Sequence, residues 1–236
     1  MTEALPVADI SLTQIEQAER DAASGMRGAG GGVCVGVPVH GAELALGLLD
    51  EEGNPSREPS HAERRTGEIL VSARHMKDHY DRLWWTERDS AAIPGWHRTG
   101  DIGHFDAAGR LWVEGRLAHL LRTPEAVVTP VAAEAAAETL PAVRRAALVG
   151  VGPAGTQAPV VVVEPGQRRG VRPGPAPLEL ADAVRAVVRG RTGVVPVAVL
   201  QVPEQPTDIR HNSKIDRPRL AAWAESTLSG GKVAKP

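Results

Sequence analysis

The stretch Trp96-His97-Arg98-Thr99-Gly100-Asp101-Ile102-Gly103 is followed, after residues 104–108, by a second glycine-containing stretch. This second stretch is Gly109-Arg110-Leu111-Trp112-Val113-Glu114-Gly115-Arg116. Where the second stretch begins, the pair Ala108-Gly109 is typical of a tight turn. Residues 104–114 are therefore predicted to form a short β-hairpin. The chain upstream of this hairpin is rich in predicted strands, and the chain downstream of it has a different pattern.

The first half of the chain predicts a β-rich unit with one helix. Residues 11–24 indicate a helix or an ordered loop, in which Ser11 caps the start and Gln14 completes a capping box. Three apolar or alternating runs predict strands. They are residues 33–37, 42–46 and 66–72. Residues 50–65 are polar and hold two prolines, so we expect a surface loop there.

Helices and strands alternate after Arg116. Helices are predicted over 131–140, 178–188 and 217–227, and buried strands over 146–151, 159–164 and 197–202. This change predicts two structural units with a boundary near residue 116. The expected fold class is α/β in the broad sense, with residues 1–115 and 116–236 as the two domains.

Composition excludes several functional classes for this 236-residue chain. Its formal net charge is −2, which gives no basic footprint for nucleic acid. No apolar run approaches the ~20 residues that a transmembrane helix needs. The first residues lack the basic and apolar regions of a secretory signal. Cys34, the one cysteine, cannot form an internal disulfide, and these features together predict a cytoplasmic protein.

A third motif joins the first two about a hundred residues later. It is Asp208-Ile209-Arg210-His211-Asn212-Ser213-Lys214-Ile215. The three runs in this order resemble the C-terminal part of the adenylate-forming (AMP-dependent synthetase/ligase) superfamily. The His-Asn-Ser-Lys-Ile frame is most similar to the olefin-biosynthesis β-lactone synthetases, whereas most adenylating enzymes carry Thr-x-x-Gly-Lys there. The resemblance extends from residue 1 to about residue 225.

The resemblance implies roles for three residues. Asp101 would accept hydrogen bonds from the ribose hydroxyls of ATP, because two carboxylate oxygens suit a cis-diol. Arg116, at the domain junction, would also contact the nucleotide. Lys214 would be catalytic, since a mobile cation stabilises the charge that spreads between a carboxylate and the α-phosphate during adenylation.

The resemblance also implies an incomplete site. Thr2 and Glu3 match the end of the family's Tyr-Gly-x-Thr-Glu motif, where the hydroxyl approaches phosphate and the carboxylate holds Mg²⁺. Met1 takes the x position, so the adenine-stacking aromatic is absent. The glycines of residues 28–32 are not a phosphate loop, because no Gly-Lys-Ser/Thr follows. Ala118 occupies the family's Asp or Lys hinge position.

We therefore expect a fragment: the remainder of a large AMP-binding domain, with its β-barrel-like portion, followed by a mobile α+β lid. The parent would activate a β-hydroxy fatty acid as acyl-AMP on the way to a β-lactone, using ATP and Mg²⁺. We expect no adenylation by this chain alone. A fatty acyl-CoA synthetase fragment, a non-catalytic remnant, and one half of a split enzyme with a separate N-terminal chain are the alternatives. Acyl chain length and the use of coenzyme A stay open.

Two other groups favour structural interpretations. His75 and His79 are spaced as possible metal ligands on a helix, but Met76 stands where the zincin pattern needs Glu. Cys34 lies in a predicted strand with no evident base nearby, which favours a small packed side chain over a nucleophile.

Overall fold

The computed structural model describes residues 4–76, 88–167, 169–208, 211–231 and 236, with the backbone alone for 208 and 211–213. The chain divides into two compact units, Met1–Ala118 and His119–Pro236. Sequence analysis put the boundary after residue 115, close to this division.

The first unit is built on a seven-stranded antiparallel sheet with the order β1-β2-β7-β6-β5-β3-β4. Its strands are β1 (Ala8–Asp9), β2 (Val33–Pro38), β3 (Ala42–Leu49), β4 (Pro55–Ser60), β5 (Gly67–Ala73), β6 (His97–Phe105) and β7 (Leu111–Arg116). Alternate residues of β3 and β5 serve its two faces. Leu44 and Leu46 pack in one cluster, while Ala45 packs with Leu70 in another.

Helix α1 (Leu12–Ala23) begins as the sequence predicts. The Ser11 hydroxyl accepts a hydrogen bond from the Gln14 amide at 3.3 Å, and the Ser11 amide donates to Gln14 Oε1 at 2.7 Å. Two otherwise unpaired helix-start amides are thereby satisfied, and the capping box is confirmed.

The predicted loop over 50–65 was wrong in part, because β4 occupies its centre and pairs with β3. Both prolines of this strand, Pro55 and Pro59, are tolerated because β4 stands at the end of the sheet order. Its side chains are largely exposed, so the apolar periodicity that identifies a strand is missing from the sequence.

The second unit has a central four-stranded sheet with the order β10-β11-β13-β12. Its elements are η1 (Leu117–His119, at the junction), β8 (Leu121–Arg122), β9 (Val127–Val128), α2 (Pro130–Glu138), β10 (Val143–Val151), β11 (Ala158–Pro165), β12 (Gly174–Pro175), α3 (Leu178–Thr192), β13 (Ala198–Gln201), β14 (Thr207–Asp208), β15 (His211–Ile215) and α4 (Arg217–Leu228). β11 and β13 are parallel and α3 lies between them in the chain.

Both faces of this second sheet are buried, which explains its continuous valine runs. On one face, Val161 and Val163 pack with α2 and α3. On the other face, Val160 and Val162 pack with Trp223 of α4. The unit is therefore a helix–sheet–helix sandwich, and together with the first unit it confirms the predicted mixed α/β class.

No helix among the described residues is long and apolar enough to cross a membrane.

Candidate nucleotide and catalytic sites

Asp101 lies in a bulge of β6. Glu68 of β5 pairs with Ile102, and Leu70 pairs with Arg98, so Ile69 alone stands opposite the three residues from 99 to 101. Such a bulge bends the strand and changes the direction of the side chains that it carries. On the other side of β6, Asp101 is directly opposite Arg116 of β7, and the register of this pair shifts between Ile102 and Gly103.

The polar groups of this bulge are satisfied locally. The Thr99 hydroxyl donates to the Ile69 carbonyl at 2.8 Å and accepts from the Asp101 amide at 3.0 Å. Gly100 has a φ of +70°, a region that glycine adopts without steric cost. Its amide donates to Glu68 Oε1 at 3.1 Å. The bulge is therefore held by defined bonds in spite of its missing ladder pairs.

Asp101 and Arg116 form an ion pair that solvent can reach. Arg116 Nε lies 3.1 Å from Asp101 Oδ1, and the side chains are 50% and 26% exposed respectively. A carboxylate beside a cation, both open to solvent, can accept hydrogen bonds from a diol without first being uncovered. The structure thus brings together two of the residues that the sequence singled out.

Lys214 is exposed on the hairpin of β14 and β15, in which Thr207 pairs with Ile215. This hairpin belongs to the second unit. Thr2 and Glu3 lie outside the described residues. No group of three or more His, Cys, Asp or Glu in the described part of the chain could hold a metal ion. The Mg²⁺ assignment to Glu3 stays a prediction.

Both ends of the Lys214 hairpin are anchored to the body of the second unit. On the leaving side, Arg217 Nη2 donates to Glu134 Oε2 at 2.9 Å, and Glu134 Oε1 accepts from the Leu148 amide at 2.8 Å. On the entering side, the buried Gln205 donates through Nε2 to the Val162 carbonyl at 2.8 Å. The exposed Lys214 therefore stands on a hairpin whose two ends are fixed to the rest of the second unit.

The base of this hairpin is closed by Asp216. Its amide donates to the Pro206 carbonyl at 2.8 Å, and its Oδ1 accepts from the Arg219 amide at 3.1 Å. The second bond caps the start of α4, so the helix begins at Arg217, directly after Asp216.

Four residues that hold the two sites were not among the predicted site residues: Glu68, Glu134, Gln205 and Arg217. A signal for Glu68 was available, since a carboxylate inside the apolar run 67–71 must find a cation or donors when the strand is buried. Glu134 gave the same signal within an alanine-rich helix. Their partners, 30 and 83 positions away along the chain, could not be read from local spacing.

The remaining candidates have structural surroundings. Residues 28–32 lie against the β6–β7 hairpin, where the Gly28 carbonyl is 2.7 Å from His104 Nε2, so this stretch packs against protein. Burial raises the pKa of the Cys34 thiol, which disfavours a thiolate. His75 Nε2 lies 3.0 Å from the Pro6 carbonyl, and His79 falls outside the described residues.

Comparison with known proteins identifies curated relatives that match almost the whole chain. No protein-family model matches the chain. It is 37% identical to an olefin beta-lactone synthetase of Stenotrophomonas maltophilia (strain K279a) over 96% of its length, and 36% identical to that of Xanthomonas campestris pv. campestris over 94%. The chain spans 41% of the length of each of these curated relatives.

Solved structures give the same picture of the fold. Amide bond synthetase McbA from Marinactinospora thermotolerans superposes with a TM-score of 0.64 at 27% identity, over 81% of this chain and 36% of that one. O-succinylbenzoate Coenzyme A Synthetase from Bacillus subtilis, in complex with AMP, shares the fold with a TM-score of 0.62 at 21% identity, over 79% and 35%.

Proposed function

Because this chain belongs to the adenylate-forming ligase superfamily and matches its C-terminal portion, we propose that it supplies the part of an ATP-dependent, acid-activating ligase that completes the nucleotide-binding site. The observation that carries the proposal is the solvent-accessible Asp101–Arg116 pair on a held bulge. This pair offers a carboxylate of the kind that accepts hydrogen bonds from a ribose diol.

Each proposed site residue has a distinct task. The Asp101 carboxylate accepts hydrogen bonds from the two ribose hydroxyls. Arg116 orients this carboxylate and contacts the nucleotide. Lys214 brings positive charge to the α-phosphate as the substrate carboxylate attacks and pyrophosphate leaves with the bonding electrons. Stabilising charge that develops only in the transition state raises the rate of the step. The remaining assignments are the Thr2 hydroxyl, which would approach phosphate, and the Glu3 carboxylate, which would hold Mg²⁺.

A β-hydroxy fatty acid is the proposed substrate, on the strength of the two long sequence matches to olefin beta-lactone synthetases. After activation, the β-hydroxyl oxygen forms a bond to the acyl carbon, AMP departs with its electron pair, and the hydroxyl proton is released. A four-membered lactone ring results. Thioester formation with coenzyme A would use the same three residues, and is the alternative.

The chain spans 41% of the length of its curated relatives, and the proposal expects adenylation to need the rest of such an enzyme as well. The direct test grafts residues 1–236 onto the Stenotrophomonas enzyme in place of the matching portion. The chimera should catalyse ATP–pyrophosphate exchange with a β-hydroxy fatty acid, whereas the isolated chain should not. The product without coenzyme A should be a β-lactone by mass spectrometry. Exchange that persists at full rate in a Lys214→Ala chimera would refute the assignment.

A further inference from the structure

Glu68 is a buried carboxylate whose contacts concentrate on the Asp101 bulge. Its side chain is 3% exposed, and the residue lies in β5 directly before Ile69 and Leu70, which belong to hydrophobic clusters of the first unit. Burying an ionised carboxylate is costly unless it is paired and hydrogen-bonded. Its partners therefore indicate what its presence provides.

The two oxygens of Glu68 serve different partners. Oε2 accepts from both Arg98 Nε at 2.7 Å and Arg98 Nη2 at 2.6 Å, and the guanidinium neutralises the charge of the carboxylate. Oε1 accepts from the Gly100 amide at 3.1 Å. Neutralisation by Arg98 does not require this second bond, which fixes the residue immediately before Asp101.

Gly100 is the residue of the bulge whose conformation most needs fixing. Its φ of +70° and its open surroundings leave it free to adopt other backbone conformations. A charge-assisted hydrogen bond to its amide restricts that freedom. The direction of Asp101 toward Arg116 follows from the conformation of Gly100, because the two residues are adjacent.

We propose that Glu68 is a positioning residue, which holds the bulge so that the Asp101 carboxylate is presented beside Arg116 for a ribose diol. The nucleotide role rests on the proposed function of Asp101. The control of the bulge by Glu68 does not.

Asp106 provides a matched control. It is also fully buried, and its oxygens accept from the Ala108 amide, the Arg110 amide and guanidinium, and Trp112 Nε1. These donors lie in the turn of the same hairpin and at the start of β7. A loss of general stability would follow from either change, whereas a loss of Asp101 positioning would follow from Glu68→Gln alone.

The first measurement is AMP binding to the 236-residue chain by titration calorimetry, with Tm recorded for each variant. Glu68→Gln should weaken binding by at least about tenfold, because misplacement of a binding group by an ångström has effects of this size or larger. Asp106→Asn should lower Tm and leave Kd unchanged. Wild-type affinity in Glu68→Gln, or equal weakening in both variants, would overturn the proposal.

The second measurement is hydrogen exchange of the Gly100 amide by NMR, which needs no nucleotide. Exchange should be slow in the wild-type chain and faster in Glu68→Gln, while amides of β10 and β11 are unchanged. Rapid exchange in the wild-type protein would exclude the Glu68 bond, and with it the proposal. If AMP binds no form of the isolated chain, this measurement alone decides whether Glu68 holds the bulge, and the exchange activity of the chimera decides the proposed function.

Discussion

Asp101 and Arg116 stand directly opposite each other on β6 and β7, with Arg116 Nε 3.1 Å from Asp101 Oδ1. On one side Asp101 is thus paired with Arg116 of β7, and on the other side it belongs to a bulge in which three residues oppose Ile69. Because Arg116 pairs with the Asp101 carboxylate and the bulge interrupts the pairing with β5, this carboxylate is oriented but remains accessible.

Replacement of Arg116 by Ala should separate binding from stability. Because the pair is exposed, its contribution to the free energy of unfolding should be below about 1 kcal/mol. Its loss should nevertheless weaken AMP binding several-fold, since the Asp101 carboxylate loses its orienting partner. Calorimetric titration and thermal unfolding of Arg116→Ala measure both quantities. Arg185→Ala, which removes another exposed ion pair with Asp182, is the control and should leave Kd unchanged.

Replacement of Lys214 by Ala should abolish most of the chimera's exchange activity without destabilising it. The side chain is exposed, so we expect little change in Tm. The loss of rate should reach about 100-fold or more, comparable with removal of one group that stabilises transition-state charge. Pyrophosphate exchange rates of Lys214→Ala and of the exposed-arginine control Arg189→Ala make the comparison. An equal loss in both would point to general surface charge.

The stability of the first unit should depend on the protonation of His104. Its Nδ1 lies 2.7 Å from Glu114 Oε1 and its Nε2 lies 2.7 Å from the Gly28 carbonyl, so both nitrogens face acceptors. Burial by itself disfavours the charged ring, but the bond and charge of Glu114, the Gly28 carbonyl and the charge of Asp106 outweigh it and raise the pKa of His104.

A raised folded-state pKa means that this stabilisation is complete below the unfolded value, about 6.5, and is lost as pH rises through the folded pKa. The unfolding free energy of the wild-type protein, minus that of His104→Gln, should therefore decrease between mildly acidic and alkaline pH. Denaturant unfolding at a series of pH values measures the difference. A difference that stays constant across this range would contradict a charged His104.

Replacement of Glu134 by Gln should loosen the base of the Lys214 hairpin. Glu134 lies in α2, and it contacts both Arg217 and the Leu148 amide. Removing its charge leaves Arg217 partly buried without its partner, which typically costs about 3 kcal/mol. Hydrogen exchange should accelerate at Asp216 and Ile215 more than in β11. Glu138→Gln, on the same helix and bonded to the Ala146 amide, is the control.

The elements that the sequence predicts best are those with a strong local pattern. The capping box of Ser11 and Gln14 and the valine strands of the second unit were confirmed because their physical causes lie within a few residues. Strand β4 was missed because an exposed edge strand with prolines carries no apolar alternation. A pattern method sees packing only where side chains are buried.

The candidate site was predictable in part for the same reason. Asp101, Arg116 and Lys214 were singled out by motifs that follow one another along the chain, and their roles stay predictions. The bulge is invisible in sequence, because it is defined by how many residues of β6 face one residue of β5. Glu68 and Glu134 acquire meaning only from partners brought close by folding.

The prolines of β4 have a consequence for association between molecules. Pro55 and Pro59 lack amide hydrogens, and they occupy the terminal strand in the sheet order of the first unit. A rim with missing donors is a poor template for the recruitment of another chain's strand. Concentrated samples should accordingly resist fibre-like growth along this border, even though the sheet as a whole is long and strongly apolar at its centre.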